Sequence, residues 1–266
     1  MGATSAVEDR VVWVTGASSG IGEALAVELS ALGAKVVLSA RRRDDLERVA
    51  ARCASETLVR PLDLADMDDA DRHVAAVLDR FGHVDVLVNN GGVSQRSLAV
   101  DTPLSVDRQL MEVDFFGQVA LTKAVLPHLM ERGDGHIVAV SSLTGRVGIP
   151  LRSAYSAAKH AIHGFFDTLR LELSRSGIAV TIVCPPNVRT SISANAITAS
   201  GEPYSAMDRI QERGMASEQC ARRIARALRR RPRELHIGAP VRAIVLFDRL
   251  LPGLLFRLLR RQRTFV

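Results

Sequence analysis

Seven short runs rich in Val and Ile constrain this chain more than any other feature. They lie at 11–15, 35–40, 57–60, 84–88, 136–141, 178–184 and 235–237, and they mostly lack polar alternation. Strands of that kind are covered on both faces. Between them stand stretches of helical period at 20–32, 44–53, 66–80, 104–132, 153–176 and 217–230. Strands alternating with helices predict an α/β fold: one doubly wound, seven-stranded and mostly parallel sheet. Right-handed crossovers then put helices on both of its faces. A length of 266 residues suits one such domain, and no repeat, low-complexity tract or linker divides it. We expect residues 1–240 to form that domain and 241–266 to be a basic, apolar tail. The connection 187–215, small and polar with Gly201 and Pro203 in it, reads as a substrate loop.

Composition narrows the function. With 47% hydrophobic and 24% charged residues the chain is neither disordered nor fibrous. Aromatics at 4% argue against base-stacking nucleic-acid modules. Cys53, Cys184 and Cys220 are odd in number and form no CxxC pair. We therefore expect no disulfide framework, no metal site and a reducing, cytoplasmic setting. The net charge of +6 is unevenly spread: 13 arginines against Glu234 and Asp248 after residue 221 leave the first 221 residues acidic. A tail-borne charge of this kind does not predict nucleic-acid binding. Residues 1–10 carry Glu8 and Asp9 and no apolar core, so no secretory signal is expected there. The stretch 241–259 is interrupted by Arg242, Asp248, Arg249 and Arg257 and broken at Pro252-Gly253, so it does not span a membrane. The mixture of Leu, Ile and Phe with arginine over 240–263 suits two alternatives. One is peripheral contact with an anionic membrane surface; the other is a helix over a subunit interface or the substrate pocket.

The first strand runs into Thr15-Gly16-Ala17-Ser18-Ser19-Gly20-Ile21-Gly22 and then a helix. Glycines at such a turn let a pyrophosphate approach backbone N–H groups at a helix start. Gly16, Ser18, Ser19, Gly20, Ile21 and Gly22 are accordingly candidate cofactor-binding residues. The absence of a GK[ST] ending argues against a nucleotide triphosphatase. After the second strand stands Arg41-Arg42-Arg43, with no acid. An acid there would take the ribose of NAD, whereas an arginine accommodates the 2′-phosphate of NADP. Arg41 therefore favours NADP over NAD, with Arg42 and Arg43 read as solvated residues at a helix start.

Three further features join the glycine loop: Asn89-Asn90-Gly91-Gly92 after the fourth strand, Tyr155-x-x-x-Lys159, and a serine 13 residues before the tyrosine. Together they resemble the short-chain dehydrogenase/reductase family of the classical type, from about Arg10 to Ile237, with a Rossmann-like fold. Residues four apart share a helix face. An ammonium beside a phenol favours the phenolate, and so makes an acid/base for a carbonyl or hydroxyl. The resemblance implies that Tyr155 is the proton donor or acceptor, that Lys159 also holds the nicotinamide ribose, and that Ser142 positions substrate. Ser141 is an alternative by position alone; the spacing to Tyr155 selects Ser142. The resemblance further implies an adenine contact at Asp63, a segment at Asn89 and the Asn90-Gly91 turn that lines the adenosine ribose and supports the central sheet, and nicotinamide contacts at Val188 and Thr190. It also implies a homodimer or homotetramer through the helices that carry Asp114 and Tyr155.

The chain departs from the family pattern at three places. Gly91 replaces alanine, and Pro186 replaces the glycine of the usual Pro-Gly pair. Asp114 replaces the helix-borne asparagine that holds a proton-relay water near the lysine. The expected activity is NADP(H)-dependent interconversion of a carbonyl and a secondary alcohol on a lipophilic small molecule. The rival reading, motivated by Asp114 and Pro186, is a catalytically impaired cofactor-binding or scaffold protein.

Overall fold

The first strand among the described residues is β1 (Val11–Thr15), whose five residues are all buried. The structure, a computed structural model, describes residues 7–261; the first six residues and the end of the basic tail, 262–266, lie outside the described residues. Around β1 stand β2 (Lys35–Ser39), β3 (Thr57–Val59), β4 (Val86–Asn89), β5 (Gly135–Val140), β6 (Ile178–Cys184) and, after two short strands treated below, β9 (Glu234–His236). They form one seven-stranded sheet in the order β3-β2-β1-β4-β5-β6-β9, every pairing parallel. Each expected strand is present, within about two residues of its expected ends.

Helices cover both faces. On one face α1 (Gly20–Ala31), α2 (Arg43–Ala50) and α8 (Ser217–Arg230) pack on Val12, Val14, Val36, Val88 and Val138. On the other, α3 (Ala70–Phe81), α5 (Gly117–Arg132) and α6 (Ser153–Glu172) pack on Trp13, Leu87, Ile137 and Ile182. Alternate residues of one strand thus feed opposite cores, as the two-residue period of a strand requires. Trp13 is fully buried and its Nε1 donates to Ser39 Oγ at 2.9 Å, which satisfies its one polar atom. Replacing it with alanine is expected to cost about 3–5 kcal/mol. The strand order reverses between β1 and β4, and the crevice at their carboxyl ends is where parallel sheets of this kind bind ligands.

One expectation is corrected. The region 104–132, read as one helix, is α4 (Leu104–Met111), a π-helical segment (Glu112–Phe116) and then α5. The wider turn buries Asp114 completely. Segments of this kind occur often at functional sites. The connection 187–215 is not without structure: β7 (Val188–Arg189) pairs with β8 (Met215–Ala216), and α7 (Arg209–Glu212) lies between them. Ile197 N donates to Ser94 O at 2.8 Å, and Arg96 N donates to Ile197 O at 2.9 Å. The loop is therefore zipped onto the segment that follows β4. The tail forms α9 (Ala239–Leu250), anchored by buried Val241 and Val245, and α10 (Pro252–Arg261). No helix among the described residues is long and apolar enough to cross a membrane.

Candidate active site

A cavity of about 560 Å³ opens at the carboxyl ends of the central strands. Its floor at one end is the glycine loop: Gly16, Ser18, Ser19, Gly20 and Ile21 all line it. Gly22 lies beneath, where a Cβ would come within 2.2 Å of Gly16 O, and Gly16 itself has φ +63°. Only glycine permits that close fold. The loop is braced from α2: Arg48 donates to Ser18 O at 2.9 Å and pairs with Glu23 of α1, which also pairs with Arg52. These arginines hold the Glu23 carboxyl below the usual carboxylate range. The result is a preformed cradle at the start of α1, the kind of place where an anion is favoured.

At the lip of the cradle the three arginines divide. Arg42 pairs with Asp45, and Arg43 with Glu47 at 3.5 Å. Arg41 is exposed, lines the cavity and has no ion pair among the described residues. Asp63 also lines the cavity, and its Oδ1 accepts from Ala65 N at 3.0 Å, which fixes the carboxylate in a tight turn.

Asn89 stands behind the crevice. It is fully buried, and its Nδ2 donates to Thr122 Oγ1 on α5 at 2.8 Å. It shares the face of Leu87 on β4 and does not line the cavity. Asn90 lines it instead, with Nδ2 donating to Thr15 O at 3.0 Å. Thr15 Oγ1 accepts from the N–H groups of Asn90 and Gly91, both at 3.0 Å, and Gln118 Nε2 donates to Gly91 O at 2.8 Å. The ends of β1 and β4 are stapled together there.

Past this staple the cavity is lined by Ser142, Tyr155, Lys159, Asp114, Val188 and Thr190, with Pro185 and Pro186 beside the last two. Ser142 caps the 3₁₀ turn Leu143–Gly145, its Oγ accepting from Thr144 N at 3.2 Å. Ser141 is nearly buried and is held from behind: its Oγ lies 3.0 Å from His163 Nε2 and donates to Lys159 O at 3.3 Å. Burial pushes the His163 imidazole down to about 4, so it is neutral at pH 7. The two serines are thus distinguished by their partners, and the one at the expected spacing has the less encumbered hydroxyl. Donor atoms of His163, Cys184 and Glu234 lie within 4.8 Å of one another behind this point. Arg146 Nη2 already holds Glu234 at 3.0 Å, which matches the carboxylate's charge.

Tyr155 and Lys159 face each other one turn apart on α6, with Lys159 Nζ 5.6 Å from the Tyr155 ring centroid. Lys159 Nζ donates to Val140 O at 3.3 Å and lies 3.5 Å from Asp114 Oδ1, which also accepts from Val93 N at 3.0 Å. Burial drives the Asp114 carboxyl up to about 6, against the opposing pull of the Lys159 ammonium and the Val93 N–H. Its Oδ2 is buried without a hydrogen-bond partner among the described residues. Gly92 must be glycine here, because a Cβ would come within 2.2 Å of Asp114 Oδ1.

Two residues at the substrate end were not among those singled out from the sequence. Gln95, fully buried, caps α6 from another part of the chain: its Oε1 accepts from Ala154 N at 2.8 Å and Tyr155 N at 3.3 Å. Arg152 lines the cavity just before α6. A lone Gln or Arg at such positions carries no spacing signal that sequence reading could use.

Residues 10–200 match the family model described as short chain dehydrogenase. The chain belongs to the short-chain dehydrogenase/reductase family. This is a family of oxidoreductases. The chain is 42% identical over 263 residues to the dehydrogenase/reductase SDR family protein 7-like of Anopheles gambiae, covering 95% of this chain and 83% of that one. It is 41% identical to dehydrogenase/reductase SDR family member 7B of Mus musculus, covering 95% and 81%. Among solved structures, a short-chain dehydrogenase from Streptomyces avermitilis superposes with TM-score 0.80 at 32% identity, covering 94% and 96%. The fold also matches a family member from Burkholderia phymatum in complex with NAD, with TM-score 0.82 at 23% identity, covering 93% and 95%.

Proposed function

We propose that this short-chain dehydrogenase/reductase uses NADP(H) to interconvert a carbonyl and a secondary alcohol on a lipophilic small molecule. The observation that carries the reading is the convergence of Ser142, Tyr155 and Lys159 on the cavity that the glycine cradle, Val188 and Thr190 also line. The fit to a dinucleotide is physical: a loop folded so closely that a Cβ at Gly16, Gly20 or Gly22 would meet protein atoms, at a helix start, with an arginine at its lip that has no ion pair among the described residues. A nicotinamide cofactor held there supplies or accepts the hydride at the substrate carbon. Arg41 would take the 2′-phosphate, since no acid stands at the end of β2 to bind a bare ribose. A family relative complexed with NAD supports a nicotinamide cofactor in this fold.

The chain's own groups do the proton work. In reduction the Tyr155 hydroxyl gives its proton to the carbonyl oxygen; in oxidation the phenolate takes it back. Ser142 Oγ hydrogen-bonds the same oxygen. Lys159, held by Val140 O and Asp114, keeps a positive charge beside the phenol as that proton moves. Val93, Val113, Ile192, Ile197 and Pro203 give the substrate end its apolar lining. Self-association through α5 and α6 belongs to the same reading, supported by the exposed Phe116, Met130 and Leu171.

The test is turnover by purified protein with NADPH or NADH against a panel of lipophilic ketones and aldehydes. Turnover favouring NADPH, abolished in Tyr155→Phe while cofactor binding persists, is the expected result. Preference for NADH would overturn the NADP assignment, and full turnover by Tyr155→Phe would overturn the chemical one.

A further inference from the structure

Arg152 stands three positions before Tyr155, at the cap of α6, and lines the substrate end of the cavity. Its side chain is only 18% exposed. Among the described residues its single charged partner is Asp208 Oδ2, at 3.8 Å, and its guanidinium makes no hydrogen bond. Asp208 is held more closely by Arg96, whose Nη1 lies 2.6 Å away, and Arg96 in turn stands over the Tyr204 ring at 5.2 Å. Two guanidinium groups therefore share one carboxylate, and Arg152 has the weaker hold on it.

The Arg152 side chain is mostly shielded but opens on the cavity, and its guanidinium has no hydrogen bond among the described residues, so its N–H donors are free for a ligand there. Its planar fork matches two oxygens of a carboxylate or phosphate, and such charge-assisted pairs are the strong ones. Ser94, Ser193 and Asn195 line the same end of the cavity and bring further polar groups to it. We propose that Arg152 recognises an anionic group, a carboxylate or phosphate, carried by the carbonyl substrate that Tyr155 acts on. The substrate is then an amphiphile, apolar along Ile192 and Ile197 and charged at Arg152. This inference rests on the reductase reading above and names the substrate class for it.

The competing role for Arg152 is a strap that ties α6 to the loop through Asp208. Matched substrates separate the two: one ketone skeleton bearing a carboxylate, its methyl ester, and a phosphate-bearing analogue. Wild-type kcat/KM should favour the anionic members by about 10- to 100-fold, through KM, the scale of a hydrogen bond to a charged group. Whichever of carboxylate and phosphate is preferred identifies the source of the charge. Arg152→Gln should erase that preference while changing ester turnover by less than about 3-fold, and Arg152→Lys should keep part of it. Asp208→Asn, which removes the shared carboxylate, should sharpen the preference. Equal turnover of acid and ester by wild type, or an equal loss on both in Arg152→Gln, would overturn the proposal and leave the reductase reading standing. Calorimetric binding of the carboxylate-bearing alcohol to the protein with NADP gives a readout independent of turnover. Arg152-dependent binding without turnover of any carbonyl would uphold the recognition site and sink the reductase reading.

Discussion

Asp114 Oδ1 lies 3.5 Å from Lys159 Nζ, with the carboxyl wholly shut off from solvent. A neutral asparagine at this place would give Lys159 no counter-charge; an aspartate gives one that depends on pH. Burial raises the Asp114 carboxyl to about 6, so the group is neutral below that pH and ionised above it. We expect the pH–rate profile to show a step near 6 that is absent in Asp114→Asn.

The same shift bears on stability. A carboxyl whose folded value exceeds the usual 3.8 contributes stability that is fully present below 3.8 and lost as pH rises through about 6. Asp114→Asn should therefore match wild type near pH 4 and exceed it at neutral pH, by on the order of 2–3 kcal/mol. Denaturant unfolding of both proteins at the two pH values measures this. An equal difference at both would show that Asp114 does not titrate in the fold.

Gln95 is the second positioning contact we would remove. Gln95→Ala leaves the N–H groups of Ala154 and Tyr155 without their acceptor at the buried start of α6. The expected cost is about 1–3 kcal/mol of stability. A lower kcat with unchanged cofactor affinity should accompany it, since the cradle lies at the other end of the cavity. Loss of cofactor binding in a folded variant would contradict this division.

What the sequence disclosed follows from how local each determinant is. The glycine loop, the Tyr155–Lys159 pair and the serine 13 residues before the tyrosine sit at fixed, short spacings in the chain, so they carry a pattern that can be read directly. Gln95 acts on α6 from 60 residues away in the chain, and only the folded topology joins them. Asn89 and Asn90 look equivalent as letters; the alternation of β4 turns Asn89 toward Thr122 and leaves Asn90 at the crevice. The π-helical segment was invisible for a different reason. Residues 104–132 keep a helical apolar pattern throughout, and one widened turn leaves the composition unchanged.

Arg41 offers a direct test of cofactor preference. Its neighbours Arg42 and Arg43 are engaged by Asp45 and Glu47, whereas Arg41 has no such partner among the described residues. Arg41→Ala should lower the ratio of kcat/KM for NADPH over NADH by at least about 10-fold, the loss of one charge-assisted contact. Arg43→Ala should change it by less than about 2-fold. An unchanged ratio in Arg41→Ala would move the phosphate contact elsewhere.

The tail carries the last prediction, which we place on a membrane surface. On α9 and α10, Leu246, Leu250, Leu254, Phe256 and Leu258 are exposed, while Val241 and Val245 hold α9 to the core and Leu255 is buried. Arg242, Arg249, Arg257 and Arg260 are exposed beside them, and Asp248 is the one acid within the two helices. An apolar face flanked by arginines is attracted to anionic lipid, by about 1 kcal/mol for each basic residue near the surface. Co-sedimentation with vesicles containing phosphatidylserine should therefore be strong at low salt and weaken as salt is raised. Leu254→Asp with Phe256→Asp should abolish it while leaving thermal stability nearly unchanged, because both side chains are exposed. Binding unaffected by that pair of substitutions would place the contact elsewhere. Absence of vesicle binding, with a concentration-dependent change in oligomeric state that the pair removes, would assign the exposed leucines to a second copy of the chain.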